Sequence, residues 1–158
     1  MDDLTILAGP ILRRTEPTRT CIWLVTNQSI DITGILYQSQ NSSLLEVANN
    51  QNNPQGNDHL QNNGHQQIKV SDVCFVHLIQ ISSIDELPID TLLYYDLYFG
   101  DTEEGLNLNT LGLVKTHYDE TTEHDYLNLN GLPLPSFYIP STLSRYLHGS
   151  CFKLHGIN

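Results

Sequence analysis

Apolar and polar side chains alternate along several short segments of this chain, which indicates β-strands and argues against helices. The clearest case is 18–26, TRTCIWLVT, which is rich in β-branched residues. Its two faces hold Cys21, Trp23 and Val25, and Thr18, Thr20, Ile22 and Leu24. A period of two residues and β-branched side chains are typical of a strand on a half-buried surface.

The same alternation predicts further strands, and no amphipathic segment predicts a helix longer than two turns. The segments predicted as strands are 18–26, 30–37, 68–81, 91–99, 106–114 and 126–139. The nearest approach to a helix is 42–48, SSLLEVA. We expect a bulge at Gly34 and a hydrogen-bonded core position for His77, which shares a face with apolar residues. Six or seven strands separated by turn residues predict an all-β sandwich.

The charge of the chain argues against two classes of partner. Its 158 residues suit one domain, and 18 acidic against 7 basic side chains give a net charge of −11. A nucleic-acid-binding domain needs a basic face, and so does a domain that docks on anionic lipid. No apolar run approaches the roughly 20 residues of a membrane-spanning helix. We therefore expect neither nucleic acid nor a membrane as a partner.

The cysteines and the first residues favour a cytoplasmic location. Cys21, Cys74 and Cys151 are odd in number and far apart, whereas a secreted disulfide framework has close, paired cysteines. The opening MDDLTILAGP is acidic and lacks the basic start and long apolar core of a secretory signal. We expect a reduced protein with Cys21 and Cys74 in its core.

The segment 49–67 is expected to be a disordered surface loop. Twelve of its nineteen residues are Asn or Gln. A segment of this composition buries too little apolar area to offset the entropy that is lost on ordering. The sequence assigns it no function.

Two short segments carry side chains of the kinds that bind metals. One is 117–125, with two histidines and four acids, and the other is 148–156, with His148, Cys151 and His155. Thiolate, imidazole and carboxylate bind divalent metals, and a Cys/His pair can also act as a nucleophile. The chain has no Walker-type phosphate loop, G-x-S-x-G, paired C-x-x-C or H-E-x-x-H.

Three segments of the chain resemble one family of hydrolases. The segment 7–26 is similar to a pattern of approximately G-P-L-L-R-R-V-E-P-T followed by a strand with a V-W-V core. The segment 87–100 is similar to an L-x-P-x-T-x-Y-x-Y-D-L strand, and 132–156 to L-P-S-F followed by H-G-S-C-R-K-P-H-G. At the two ends the matching residues are Gly9, Pro10, Arg13, Arg14, Glu16, Pro17, Thr18, Trp23, Leu134, Pro135, Ser136, Phe137, His148, Gly149, Ser150, Cys151, Lys153, His155 and Gly156. The chain thus resembles the PhoD-like (alkaline phosphatase D-like) metallophosphatases.

This resemblance implies a domain plan. The family begins with a fibronectin-III-like β-sandwich and continues into a domain that hydrolyses phosphate esters with metal-bound water. We therefore expect a fibronectin-III/immunoglobulin-like β-sandwich of about seven strands in 1–140, followed in 141–158 by a linker and the start of a truncated metallophosphatase domain. Cys151 matches a metal ligand of the intact parent. Iron, calcium or similar ions are implied for that parent, and no cofactor is expected in this fragment.

The function implied is that of a non-catalytic domain, which packs against the catalytic domain of the parent and shapes access to it. Leu92, Tyr94 and Tyr98 are candidates for the docking face, and a buried face of the sandwich explains these residues equally well. The fragment alone is not expected to be an enzyme, whereas its parent is expected to be a metal-dependent phosphoric-ester hydrolase. One alternative is a stand-alone immunoglobulin/fibronectin-like binding or adhesion module. Another is a small metalloprotein that uses His117, His124 and nearby acids.

Overall fold

Eight β-strands and no helix make up the part of the chain that the structure, a computed structural model, describes. That part comprises residues 4–40, 43–51, 64–100, 105–114, 127–128 and 131–142. The strands are β1 (Ile6–Glu16), β2 (Arg19–Thr26), β3 (Ile32–Gln40), β4 (Ser43–Asn49), β5 (His65–Ser71), β6 (Cys74–Ser82), β7 (Leu92–Phe99) and β8 (Ser136–Tyr138). Within these ranges there is no helix long and apolar enough to cross a membrane.

The strands form two antiparallel sheets of a β-sandwich. The strand order is β1-β2-β6-β5 in the first sheet and β4-β3-β7-β8 in the second. Lettered in chain order as A, B, C, C′, D, E, F and G, the strands give the sheets ABED and C′CFG, which is the immunoglobulin-type arrangement. The prediction of an all-β, fibronectin-III/immunoglobulin-like sandwich is confirmed, with eight strands instead of about seven.

The hydrophobic core lies between the sheets, and the faces of β2 and β6 that line it are set by their register. Ile22 pairs with Ile79 and Leu24 pairs with His77, and all four side chains are fully buried. Because side chains alternate along a strand, Trp23 points to the opposite side of the first sheet. The second sheet supplies Leu93, Tyr95, Leu97 and Phe99 to the core.

Gly34 on β3 faces the core at a close approach between the two sheets. A Cβ atom at this position would lie 2.9 Å from Ile79 Cγ2 and 2.9 Å from Ile81 Cδ1. The pairing of β3 with β7 runs without a shift through Gly34 and Leu97. The bulge expected at Gly34 is therefore absent from this pairing, and the glycine instead makes room for the facing sheet.

Two predicted segments have a different structure. The segment 68–81 is not one strand, because β5 ends at Ser71 and β6 begins at Cys74. Val73 lies in the turn between them and is 67% exposed, so it does not share the core face of β6. The segment 42–48, the nearest approach to a helix, contributes most of β4 instead.

The segment 106–114 was predicted as a strand and is a series of turns. The Asn107 N–H donates to Thr110 Oγ1 at 2.7 Å, and the Thr110 N–H donates to Asn107 Oδ1 at 2.9 Å. Such side-chain bonds to the backbone compete with sheet pairing, and Asn107 keeps a single bridge to Tyr98. In 126–139 the strand found among the described residues is β8.

Both ends of the amide-rich block 49–67 belong to strands of the sandwich. Asn49 is the last residue of β4, and His65 is the first residue of β5. Asn50 is buried and donates through Nδ2 to the Ile32 carbonyl at 3.1 Å. Residues 52–63 lie outside the described residues, so the expected loop is described only at its ends.

Candidate docking surface

The first sheet carries an apolar surface on the side that faces away from the core. We call this surface the outer face; it consists of Ile11, Trp23, Val25, Ile68, Val70, Val76 and Leu78. One cross-strand row joins Ile11 to Trp23 and Trp23 to Leu78. The exposed fraction is 45% for Ile11 and 66% for Ile68 at its two edges. Val25 is buried, Trp23, Val76 and Leu78 are half-buried, and the exposed members of the face are Ile11, Ile68 and Val70. Exposed apolar side chains close together on a surface are typical of interaction sites.

Positive charge is concentrated on the same sheet. The basic residues of the described ranges all lie on its strands and are Arg13, Arg14, Arg19 and Lys69. The chain as a whole has a net charge of −11. Arg14 and Arg19 pair with Glu16, and Lys69 pairs with Asp72, so much of this positive charge is neutralised within the sheet.

Glu16 holds two arginines at one end of the outer face. Glu16 Oε1 accepts hydrogen bonds from Arg14, one of them from Nε at 2.8 Å. Glu16 Oε2 accepts from Arg19 Nε at 2.9 Å and Nη2 at 2.6 Å. The bonds from Arg19 and then Arg14 hold the pKa of Glu16 below its usual value. A cleft of about 230 Å³ beside this cluster is lined by Glu16, Thr18, Arg19, Gln80, Ser82 and Ser83.

Segments that are far apart in sequence meet at this end of the sandwich. We call the end the motif pole; it comprises residues 16–19, 83–91 and 138–142. The Ser83 N–H donates to the Thr18 carbonyl at 3.0 Å, and the Leu87 N–H donates to the Pro17 carbonyl. These bonds attach the connection between β6 and β7 to the turn between β1 and β2.

Asp90 attaches the third segment to the motif pole. Its N–H donates to the Ile139 carbonyl at 2.9 Å, and its Oδ1 accepts from the Ser141 N–H at 2.9 Å and the Tyr138 hydroxyl at 3.2 Å. Hydrogen bonds from Ser141 and then Tyr138 lower the pKa of Asp90. Asp90 has a φ of 53°, a conformation that Asp tolerates better than most residues. Ser141 is thereby fixed at the pole.

The outer side of the second sheet is covered by the chain itself. Asp96 Oδ1 accepts from the Leu97 N–H at 2.8 Å and from the Leu108 N–H at 3.2 Å. Both Asp96 and Leu108 are buried, so the segment 105–114 lies over β7. Burial raises the pKa of Asp96 to about 6.

Two of the three β7 residues considered for a docking face are not exposed. Tyr94 is only 5% exposed, and the Tyr98 hydroxyl is 3.3 Å from the Tyr37 hydroxyl. Of the three residues expected to face a partner, Leu92 alone is exposed. The first sheet, and not the second, therefore presents the larger apolar surface among the described residues.

His77 occupies the core, where hydrogen bonding was expected for it. Its Nε2 is 2.7 Å from Thr26 Oγ1, and its Nδ1 is 2.9 Å from His65 Nε2. Both ring nitrogens are thus engaged in hydrogen bonds, and burial lowers the pKa of His77 to about 4. The described ranges contain no group of three or more His, Cys, Asp or Glu side chains that could hold a metal ion.

Several predicted site residues lie outside the described residues. They are His117, Asp119, Glu120, Glu123, His124, Asp125, His148, Cys151 and His155. The two metal-binding segments predicted from the sequence, 117–125 and 148–156, therefore stay predictions. Sequence reasoning missed Arg19 and His65, whose partners come from other turns and strands. A signal was present for Arg19, because Glu16 lies three residues before it and a turn lies between them.

Comparisons with known proteins found no matching family model, no matching curated protein and no matching solved structure.

Proposed function

We propose that this chain is the non-catalytic N-terminal β-sandwich of a PhoD-like metallophosphatase and that it packs against the catalytic domain of its parent. The observation that carries the proposal is the motif pole. The resemblance rests on three segments of sequence, and all three reach the pole: Glu16, Pro17 and Thr18 are matching residues, and 138–142 directly follows the matching Phe137. Glu16, Pro17 and Asp90 contribute directly to its ion pairs and hydrogen bonds. A shared interface would account for such a convergence.

The outer face is the surface proposed to receive the catalytic domain. It adjoins the Glu16 cluster of the motif pole, and Trp23, one of the residues that carry the resemblance, lies in its centre. Aromatic side chains and arginines supply much of the binding energy at protein interfaces. Ser141 begins the segment that the resemblance assigns to the linker, and it is held at the same pole.

A second copy of this chain fits the outer face less well than a catalytic domain does. Each copy carries a net charge of −11, so two copies repel each other. We therefore commit to the catalytic domain as the occupant and treat self-association as an outcome that would contradict the proposal.

The metal centre of the proposed parent is assigned to its catalytic domain, with Cys151 as one ligand. When bound there, the metal would activate water for the hydrolysis of a phosphate ester. A reduced, cytoplasmic setting belongs to the same proposal, and Cys21 and Cys74, the cysteines among the described residues, are not joined in a disulfide. Burial raises the pKa of the Cys21 thiol, which makes it a poor nucleophile.

Activity assays on two lengths of protein test this function. The chain 1–158 and a protein extended through the downstream coding region are each incubated with p-nitrophenyl phosphate, with and without a chelator. We expect hydrolysis by the extended protein only, and we expect the chelator to abolish it. Hydrolysis by 1–158, or an extended region without Asp, Asn and His ligand clusters, contradicts the proposal.

Charged substitutions test the docking surface within the extended protein. Trp23→Glu places a carboxylate in the outer face, and Leu45→Glu is the matched control on the second sheet, where Leu45 is 47% exposed. We expect Trp23→Glu to lower hydrolysis at least tenfold while the melting temperature of 1–158 stays within a few degrees. Equal effects of the two variants on hydrolysis would contradict docking through the outer face.

The alternative function is a stand-alone immunoglobulin/fibronectin-like binding module. It is favoured by the hairpin of β5 and β6, where Ile68, Val70 and Val73 are all exposed. β5 is also an edge strand of its sheet, and edge strands can pair with an extended peptide. A downstream coding region that encodes no hydrolase would favour this alternative.

A further inference from the structure

A chain of hydrogen bonds crosses the core and joins the two sheets. The Ile32 N–H, on the second sheet, donates to His65 Nδ1 at 3.4 Å. His65 Nε2 lies 2.9 Å from His77 Nδ1, and His77 Nε2 lies 2.7 Å from Thr26 Oγ1. The Thr26 hydroxyl donates to the Gln28 carbonyl at 2.6 Å. The two imidazole rings are stacked, with centroids 5.2 Å apart.

The order of donors and acceptors fixes where the protons lie. A backbone N–H can only donate, so His65 Nδ1 must be an acceptor and its proton must sit on Nε2. His65 Nε2–H then donates to His77 Nδ1, and His77 Nε2–H donates to Thr26 Oγ1. Both rings are therefore neutral, with the proton on Nε2, as assigned from the hydrogen-bond network.

A first added proton breaks one particular bond of this chain. If it binds to His65 Nδ1, that nitrogen becomes a donor and meets the Ile32 N–H, so the bond between the sheets is lost. The bond from His65 to His77 is kept. A second proton, on His77 Nδ1, would bring two cationic rings and two N–H donors together, which is unfavourable in a buried site.

The surroundings of the pair decide which ring is protonated first. Burial lowers the pKa of both rings, and the charge of His65 lowers that of His77 further. Asp31, just before β3, raises the pKa of His65 and so partly offsets its burial. The groups facing the pair from β2 and β3 are the Thr26 hydroxyl and the Ile32 N–H, and neither is charged.

We propose that His65 and His77 form a proton-operated clasp between the two sheets, which opens at acidic pH by releasing β5 from Ile32 of β3. His65 is the first residue of β5 and follows Gly64, whose carbonyl accepts from the Gln80 N–H at 2.7 Å. Opening therefore loosens β5 and the end of the amide-rich block. β5 also carries Ile68 and Val70 of the outer face, so acid changes that surface as well.

NMR of the ¹⁵N-labelled chain 1–158 tests the clasp without any partner. Long-range ¹H–¹⁵N spectra report the tautomer and protonation state of each ring, and His65→Gln and His77→Gln assign the signals. At pH 7.5 we expect both rings neutral with the proton on Nε2. On acidification we expect His65 to be protonated first, with exchange of the Gln66 and Ile68 amides, which face β6, rising at least tenfold after correction for intrinsic rates. Exchange in β2 should remain unchanged in that step.

Two variants separate the clasp from general acid unfolding. A Gln side chain at position 65 can accept from the Ile32 N–H and donate to His77, but it takes no proton in this pH range. We therefore expect His65→Gln to keep β5 protected at pH 5, whereas His59→Gln, in the same amide-rich block, should behave like the parent chain. The proposal is wrong if His65 is protonated while exchange in β5 stays constant, or if β5 opens with both rings neutral. The ring titration of the unsubstituted chain decides the matter if His65→Gln fails to fold.

Discussion

Thr20 and Thr26 lie on the core face of β2, both fully buried, and they differ in whether the hydroxyl is hydrogen-bonded. Thr26 Oγ1 donates to Gln28 and contacts His77. Thr20 Oγ1 has no hydrogen-bond partner within the described part of the chain. A buried polar group without a partner costs stability, whereas a paired one does not.

We therefore predict opposite effects of the same substitution at the two positions. Thr20→Val removes an unpaired hydroxyl and should raise the free energy of unfolding by about 1 kcal/mol. Thr26→Val leaves His77 Nε2–H and the Gln28 carbonyl without a partner and should lower it by about 2 kcal/mol. Urea unfolding of both variants at pH 7 measures the difference. A loss of stability in Thr20→Val that equals that in Thr26→Val would contradict this assignment.

Asp96 and His77 make the stability depend on pH in opposite directions. The pKa of His77 is lowered from 6.5 to about 4, so between these values the unfolded chain binds a proton that the folded chain does not, and stability falls as pH falls. The pKa of Asp96 is raised from 3.8 to about 6. The protonated Asp96 side chain therefore stabilises the folded chain below pH 3.8, and this stabilisation is lost as the pH rises through about 6.

Asp96→Asn isolates the carboxylate contribution. The amide oxygen can still accept from Leu97 and Leu108, and it has no charge to bury. Relative to the parent chain, we expect the variant to be more stable at pH 7 by up to about 3 kcal/mol, with the difference near zero at pH 4. Urea unfolding of both proteins across this range is the measurement. A difference that does not change with pH would show that Asp96 is not the titrating group.

At the scale of single elements, strand positions were predictable where the alternation is strong, as in β2 and β7. The face of β2 that points to the core was not predictable, because both faces of this strand carry apolar residues. The pairing with β6 is what shows that Ile22 faces the core. The turn at Asp72–Val73 was missed because the polar pair Ser71 and Asp72 is short and apolar residues lie on both sides of it. The docking residues depend on register and on which loop covers which sheet. A single sequence specifies neither, so Tyr94 was placed on an exposed surface, whereas it is 5% exposed in the folded chain.

The end of β4 depends on Asn50, which ties it to β3. Asn50 Oδ1 accepts from the Gly34 N–H at 2.9 Å, and its Nδ2 donates to the Ile32 carbonyl at 3.1 Å. Asn50→Leu leaves both backbone groups buried without partners, and we predict a loss of about 2–4 kcal/mol. The exposed neighbour Gln51, which bonds Thr33 at 2.8 Å, is the control, and Gln51→Ala should cost about 0.5 kcal/mol or less. Equal losses in thermal unfolding would contradict this role.

At the scale of the whole molecule, the sandwich has two unlike outer sides. On the second sheet the segment 105–114 lies over β7, and the first sheet presents an apolar surface beside basic residues and the motif pole. An acidic chain that keeps its described positive charge on one sheet is suited to meet its partner in one orientation. Trp23 is the single tryptophan of the chain and reports on that surface.

Hydroxyl-radical footprinting of 1–158 and of the extended protein tests most directly whether the outer face is the docking surface. The measurement compares the modification rates of Trp23 and Leu78 on the first sheet with that of Leu45 on the second. We predict that Trp23 and Leu78 are modified several-fold more slowly in the extended protein, while the rate at Leu45 is the same in both. Unchanged rates at Trp23 and Leu78, or protection of Leu45 instead, would contradict the proposed docking.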